Sequence, residues 1–235
     1  VSPETVAQMA SALAFIVERH RPDTFTNGTM QSLTCQACSL LAGIPKRVGY
    51  LGEARVGLLT HRLKNPQNKP PMVAFYSALS GESGIEADRP RLQLPQTEID
   101  AAMQALNLQP GGYAVFAPGA EFGPAKRWPA AHFAEVARGL DVPVLLLGSA
   151  KEAALCRQIE AAAPGACRVM AGETSLTDAM ALIAGARGLV SNDSGLMHVA
   201  AAFGLPQVAV FGSTSPEHTP PLNPKARVLW LKGEL

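Results

Sequence analysis

Aromatic side chains make up only 6% of the 235 residues and charged ones only 17%, with a formal net charge of +1. Charge so sparse and balanced leaves no electrostatic footprint for nucleic acid, and no basic stretch interleaved with aromatics appears. No apolar run approaches the roughly 20 residues that a membrane-spanning helix needs. The opening "VSPETVAQMA" lacks the basic head and apolar core of a secretory signal. The expected location is therefore cytoplasmic. A chain that starts on Val1 is also expected to lack the start of its natural polypeptide.

Cysteine is scarce: Cys35, Cys38, Cys156 and Cys167 are the four. The first two form a C-x-x-C, but no second pair supplies zinc-ligand spacing, and the segment "SLTCQACSLLAG" reads as a helix. Free, buried thiols are expected there rather than a metal or redox centre. Other chemistries lack their signatures too. No G-x-G-x-x-G follows a strand, no G-x-x-x-x-G-K-[ST] marks a P-loop, and no G-x-S-x-G elbow marks a serine hydrolase. No D-x-D offers ligands for a metal-held sugar nucleotide, so no metal and no bound cofactor are expected.

What is present is a rhythm. Apolar residues form 47% of the chain, enough for a real core. From Tyr113 onward, short apolar strands alternate with helices of about ten residues: "YAVFAPG", "PAAHFAEVARGL", "VPVLLLGS", "AKEAALCRQIEAA", "CRVMAG", "SLTDAMALIAGA", "GLVSND", "GLMHVAAAFG", "PQVAVFGST". Strands that are apolar throughout, between helices, predict an α/β fold with a doubly wound parallel sheet covered on both faces. Upstream, a helix from Ser2-Pro3-Glu4, a segment near Asp23–Thr26, a strand "RVGYLG" and a helix "PPMVAFYSALSG" read as a first unit. Residues 96–112, a short helix ending at Pro110-Gly111-Gly112, read as a linker.

Ligands of doubly wound sheets sit at the carboxyl ends of the strands. Those ends here carry "PGAEFGPAKRWP", "GSAKE", "AGETSL", "SNDSGLMH" and "FGSTSPEHTPP": small residues, hydroxyls and a few charges on one edge. Lys126 and Arg127 facing helix N-termini make a plausible diphosphate site, and Glu152 could accept from ribose hydroxyls. Each also has a plainer role. Lys126 and Arg127 could be solvated, Asp193 or Ser194 a helix cap, and His198 a core histidine. Their concentration on one edge favours a site.

The strings "FAPGAEFGPAKRWPAAHFAEVA", "LLLGSAKE" and "MAGETSLTDAMALIAGARGLVSNDSGLMHVAAAFGLPQVAVFGSTSPEHTPPL" resemble the lipopolysaccharide heptosyltransferases of glycosyltransferase family 9, and "AGIPKRVGYLGEARVGLL" does so more loosely. The resemblance implies a GT-B fold of two Rossmann-like domains: an acceptor-binding domain of which 1–95 is a remainder, and a donor domain over 113–235. It implies transfer of a heptose from ADP-heptose, used as substrate, to a lipid A–Kdo–heptose acceptor, inverting and metal-independent, with peripheral inner-membrane contact. Residue by residue it places Lys126 on the diphosphate and Glu121, Phe122 and Gly123 beside the sugar. It places Asp193, Ser194, Gly195 and Leu196 on phosphates and heptose hydroxyls, with His198 in support, and Ser149, Lys151, Glu152 and Thr174 around the nucleoside. The family's general-base Asp, on an early Gly-Asp loop, and its closing C-terminal helix have no counterpart in this sequence. Weak or absent turnover is therefore expected, and heptosyltransferase I or another family 9 glycosyltransferase, or a non-catalytic nucleotide-sugar-binding module, stands as the alternative.

Overall fold

The computed structural model describes residues 24–26, 40–51, 57–67, 70–80, 89–120 and 124–230. The chain divides into two compact units, 1–88 and 89–235. The first helix read from the sequence and the Cys35–Cys38 segment lie outside the described residues.

In the first unit, β1 (Thr24–Thr26), β2 (Lys46–Tyr50) and β3 (His61–Leu63) form a parallel sheet in that order. Pro71, with Pro70 before it, occupies the N-cap of helix α1 (Met72–Ser77). Its Phe75 stacks on Tyr50 with ring centroids 4.1 Å apart, and the Tyr50 hydroxyl donates to the Phe75 carbonyl at 2.7 Å. Val48, Tyr50 and Leu79 form the buried centre.

The second unit holds the alternating region. Its strands are β4 (Ala114–Ala117), β5 (Val144–Leu146), β6 (Cys167–Val169), β7 (Gly188–Asn192), β8 (Gln207–Phe211) and β9 (Ala226–Trp230). All pair in parallel, in the order β6-β5-β4-β7-β8-β9. Its helices are α2 (Gln96–Ala105), α3 (Ala130–Gly139), α4 (Ala153–Ala162), α5 (Leu176–Ala184) and α6 (Gly195–Ala202).

Period-two alternation sends Ala114, Phe116, Val144 and Leu146 to the face covered by Phe133, Ala137, Cys156 and Ile159. Val115, Leu145, Leu147 and Leu189 face Met103, Leu182, Ile183 and Ala200. The segment read as a linker is thus part of this core. Ile99, Ala102, Met103 and Leu106 recur at helical spacing and pack the apolar stripe of α2 against the cluster of α5. β9 is an addition to the sequence reading. It pairs with β8 over five residues, but as an edge strand it leaves Arg227, Val228 and Leu229 exposed and lacks the continuous apolar pattern of the strands inside.

Candidate functional site

The strand order reverses between β4 and β7: one run continues through β5 and β6, the other through β8 and β9. Connections leave such a pair in opposite directions, so their carboxyl ends open a crevice that nothing in the sheet covers. Four of the sequence-predicted elements border it.

Asn192, the last residue of β7, is the pillar of the crevice. It is wholly buried. Its Nδ2 donates to the Pro118 carbonyl at 2.6 Å, and its Oδ1 accepts from the Trp128 N–H at 2.9 Å. One side chain thus ties both ends of the 118–128 loop to β7. Sequence reading passed over Asn192 as one polar letter in a turn. The signal available was an amide at the end of a buried strand, where each unpaired polar atom would be costly.

The tethered loop makes a single turn of tight helix at Pro124–Lys126. Lys126 Nζ meets Asp193 Oδ2 at 2.7 Å, the side chains being 21% and 9% exposed. This corrects the capping role expected for Asp193: its carboxylate bonds Lys126, and Ser194 occupies the cap position of α6 without a side-chain cap bond. The extended backbone of Ser194 starts the helix, while its hydroxyl is buried and unpartnered among the described residues. The Ser191 and Thr214 hydroxyls on the same edge are likewise unpartnered. Thr214 follows Ser213, whose hydroxyl donates to the Ala125 carbonyl at 3.1 Å, so the loop after β8 is fastened to the Lys126 turn.

Among the described residues, nothing lies within 4 Å of where a β-carbon on Gly195, the first residue of α6, would stand. Free N–H groups and the positive helix end face that space. Leu196 contributes only its backbone there, because its side chain packs against the core of α2 and α5. His198 lies on the exposed side of α6, which removes the core-histidine alternative. Burial of its inner edge lowers its pKa below the ordinary histidine value, while the Asp193 carboxylate pulls it upward.

The fold therefore binds fewer protons at His198 than the unfolded chain does. Stability from this group is complete above a pH of about 6.5 and falls as pH drops through that value. Melting curves from pH 7.5 to 5.5 are expected to fall more steeply for the native chain than for His198→Gln. Parallel curves would remove His198 from this account.

On the other side of β4, Glu152 Oε2 accepts from the Ser149 N–H at 2.7 Å and the Ser149 hydroxyl at 3.0 Å. Its carboxylate lies directly over Gly119, where any β-carbon would collide with it. Glycine at 119 is thus required for the carboxylate to stand between the ends of β4 and β5. Gly172, at φ +83°, brings the loop after β6 close enough that a β-carbon would lie 2.8 Å from Ala150 Cα. The Gly172 N–H donates to the Gly148 carbonyl at 3.0 Å, and no bond from Thr174 among the described residues defines a role for it. Lys151 is exposed, and no bond from it defines a role. Arg127 is exposed too and makes a long 3.5 Å contact to the Ala120 carbonyl. Glu121, Phe122 and Gly123 lie outside the described residues.

Among the described residues, this end of the sheet therefore presents one cation, a largely buried carboxylate beside it, a helix N-terminus and a second carboxylate across β4, with the Ser191, Ser194 and Thr214 hydroxyls buried and unpartnered in the same segments. Among the described residues, no group of three or more His, Cys, Asp or Glu is placed to hold a metal ion. Such a set fits an anion flanked by hydroxyl-bearing groups.

Comparison with known proteins points the same way. Residues 29–234 match Glycosyltransferase family 9 (heptosyltransferase). The chain is 44% identical over 208 residues to lipopolysaccharide heptosyltransferase 2 of Escherichia coli K12, covering 81% of this chain and 60% of that protein. It is 40% identical over 224 residues to lipooligosaccharide heptosyltransferase 2 of Haemophilus influenzae, covering 87% and 65%. The solved structure of E. coli ADP-heptose lps heptosyltransferase II superposes with a TM-score of 0.85 at 39% identity, over 96% of this chain and 73% of that one. The chain thus spans 60% to 65% of the length of these two curated relatives. With the match running over most of its length, the chain belongs to glycosyltransferase family 9, the heptosyltransferases.

Proposed function

We propose that the second unit is the donor half of an enzyme that moves L-glycero-D-manno-heptose from ADP-heptose to a heptose of the lipopolysaccharide inner core. The observation that carries this reading is the Lys126–Asp193 pair at the sheet's switch point, beside the open N-terminus of α6. As the bond between the anomeric carbon and the β-phosphate breaks, negative charge grows on the leaving ADP. Lys126 and the N–H groups of Gly195 and Leu196 are donors held in advance for that charge. Attack by the acceptor hydroxyl on the opposite face of the sugar inverts the anomeric centre, and the charge on ADP is met by these groups rather than by a metal. Asp193 accepts from sugar hydroxyls, Ser194 and Thr214 from or to the phosphates, and Glu152 from the ribose. The two curated relatives named above, both heptosyltransferases 2, favour the second heptosyltransferase over the first. Its acceptor is anchored in lipid, so we place the protein at the cytoplasmic face of the membrane. Among the described residues no helix is long and apolar enough to cross it.

The reading concerns the donor site, so the decisive experiment is nucleotide binding. In thermal melts with ADP, UDP and GDP, ADP alone is expected to stabilise. At a hundredfold excess over Kd the gain is about 2.7 kcal/mol, or roughly 5–10 °C for a unit of this size. Glu152→Ala is expected to lower affinity for ADP and leave inorganic pyrophosphate unaffected. A melt raised by UDP instead, or by none of the three, would overturn the donor assignment.

A further inference from the structure

The cation that faces the diphosphate already has an anionic partner, and this has a consequence for the spent nucleotide. Lys126 Nζ lies 2.7 Å from Asp193 Oδ2, and the Asp193 side chain is only 9% exposed. A phosphate oxygen bonded to the same ammonium would stand within about 5–6 Å of that carboxylate, by ordinary hydrogen-bond lengths. Solvent screens little at such burial, so the two anions oppose each other.

We infer that Asp193 discriminates the loaded donor from spent ADP, repelling the product from the site that Lys126 makes; this rests on the donor-site reading above. The intact donor is a diphosphate diester with two negative charges, and its sugar offers hydroxyls that donate to the carboxylate. Transfer breaks the anomeric carbon–oxygen bond. The electron pair stays on the β-phosphate oxygen, the acceptor oxygen bonds the anomeric carbon, and the acceptor's proton leaves to a base. The product, ADP, therefore carries an additional charge at its terminal phosphate and has lost the hydroxyls that had satisfied Asp193. The carboxylate that welcomed the sugar now faces a more anionic phosphate alone. Like charges brought together in this way are a general device for rejecting a competing ligand.

Asp193→Asn keeps the side-chain shape and an acceptor for Lys126 while removing the charge. Calorimetry with ADP is expected to show binding tightened about tenfold, within the usual range of coupling between neighbouring sites. Stopped-flow release of ADP should slow correspondingly, and AMP, which lacks the terminal phosphate, should gain less. If Asp193 served only to hold Lys126 in place, the substitution would leave ADP binding unchanged or weaken it. That result, in a variant melting within a few degrees of the native chain, overturns the inference. Should Asp193→Asn fail to fold, the comparison passes to the melting-matched pair Asp193→Ser and native. Lys126→Ala with and without Asp193→Asn gives the same sign test, the double variant being expected to bind ADP more tightly than the single. Failure of the native chain to bind ADP at all refutes the donor-site reading, and the inference falls with it.

Discussion

Lys126→Ala is expected to weaken ADP binding about 100-fold, equivalent to some 2–3 kcal/mol. Two effects act in the same direction. A charge-assisted hydrogen bond to phosphate is lost, and such bonds are about twice as strong as neutral ones. The Asp193 carboxylate, 9% exposed, is then left without its partner and faces the phosphate with its full charge. Lys126→Arg should recover part of the loss, because it restores the charge but not the compact ammonium that fits between Asp193 and the ligand. Because Lys126 keeps 21% of its side chain exposed, raised salt should narrow the gap between native and variant. Titration calorimetry decides the matter: a folded Lys126→Ala chain that binds ADP within twofold of the native would remove this residue from the site.

The second large effect is expected at Asn192, and it should appear in stability as well as in binding. Asn192→Ala strands the buried Pro118 carbonyl and the Trp128 N–H, which the amide now satisfies at 2.6 and 2.9 Å. Leaving two such groups unpaired costs roughly 2–4 kcal/mol, or a melting temperature lower by about 5–15 °C. Asn192→Asp should not rescue it. A carboxylate oxygen can still accept from Trp128, but the other oxygen would face the Pro118 carbonyl with no hydrogen to offer. ADP affinity should fall with both variants, since Asn192 is the tie that positions the loop bearing Lys126. A melt unchanged by Asn192→Ala would show that the loop is held by other contacts. One such contact is the Trp128 ring, packed edge-on to Phe133 at 5.1 Å and stacked over His132.

Both variants act on contacts whose ends are far apart in the chain, which bears on what could be read in advance. Strands β4, β5, β7 and β8 were legible because each is buried on both faces, and a strand buried on both faces must be apolar throughout. At the start of α5, Ser175 and Asp178 bond reciprocally, a capping pair that the sequence reading did not single out. β9 was not legible, because an edge strand exposes Arg227, Val228 and Leu229 and so loses the pattern that marks its neighbours. The helix of α2 was visible in Ile99, Ala102, Met103 and Leu106, but its allegiance was not. Periodicity shows that a face is apolar without showing which surface covers it.

The sequence by itself determined the alternation of strands and helices, the edge of the sheet on which small and polar residues gather, and the family resemblance carried by the 118–129 and 191–206 segments. Tertiary structure alone decided what those polar residues do there. Asp193 has the same local qualification for capping α6 as for binding a cation, and only the arrival of Lys126, 67 residues earlier in the chain, settles the choice. Asn192 likewise acts by joining β7 to residues 64 and 74 positions away. The physical reason is one of range. Backbone propensity and hydrophobic period are local and survive in a linear string, whereas the partner of a charge or an amide is set by which strands the sheet places side by side.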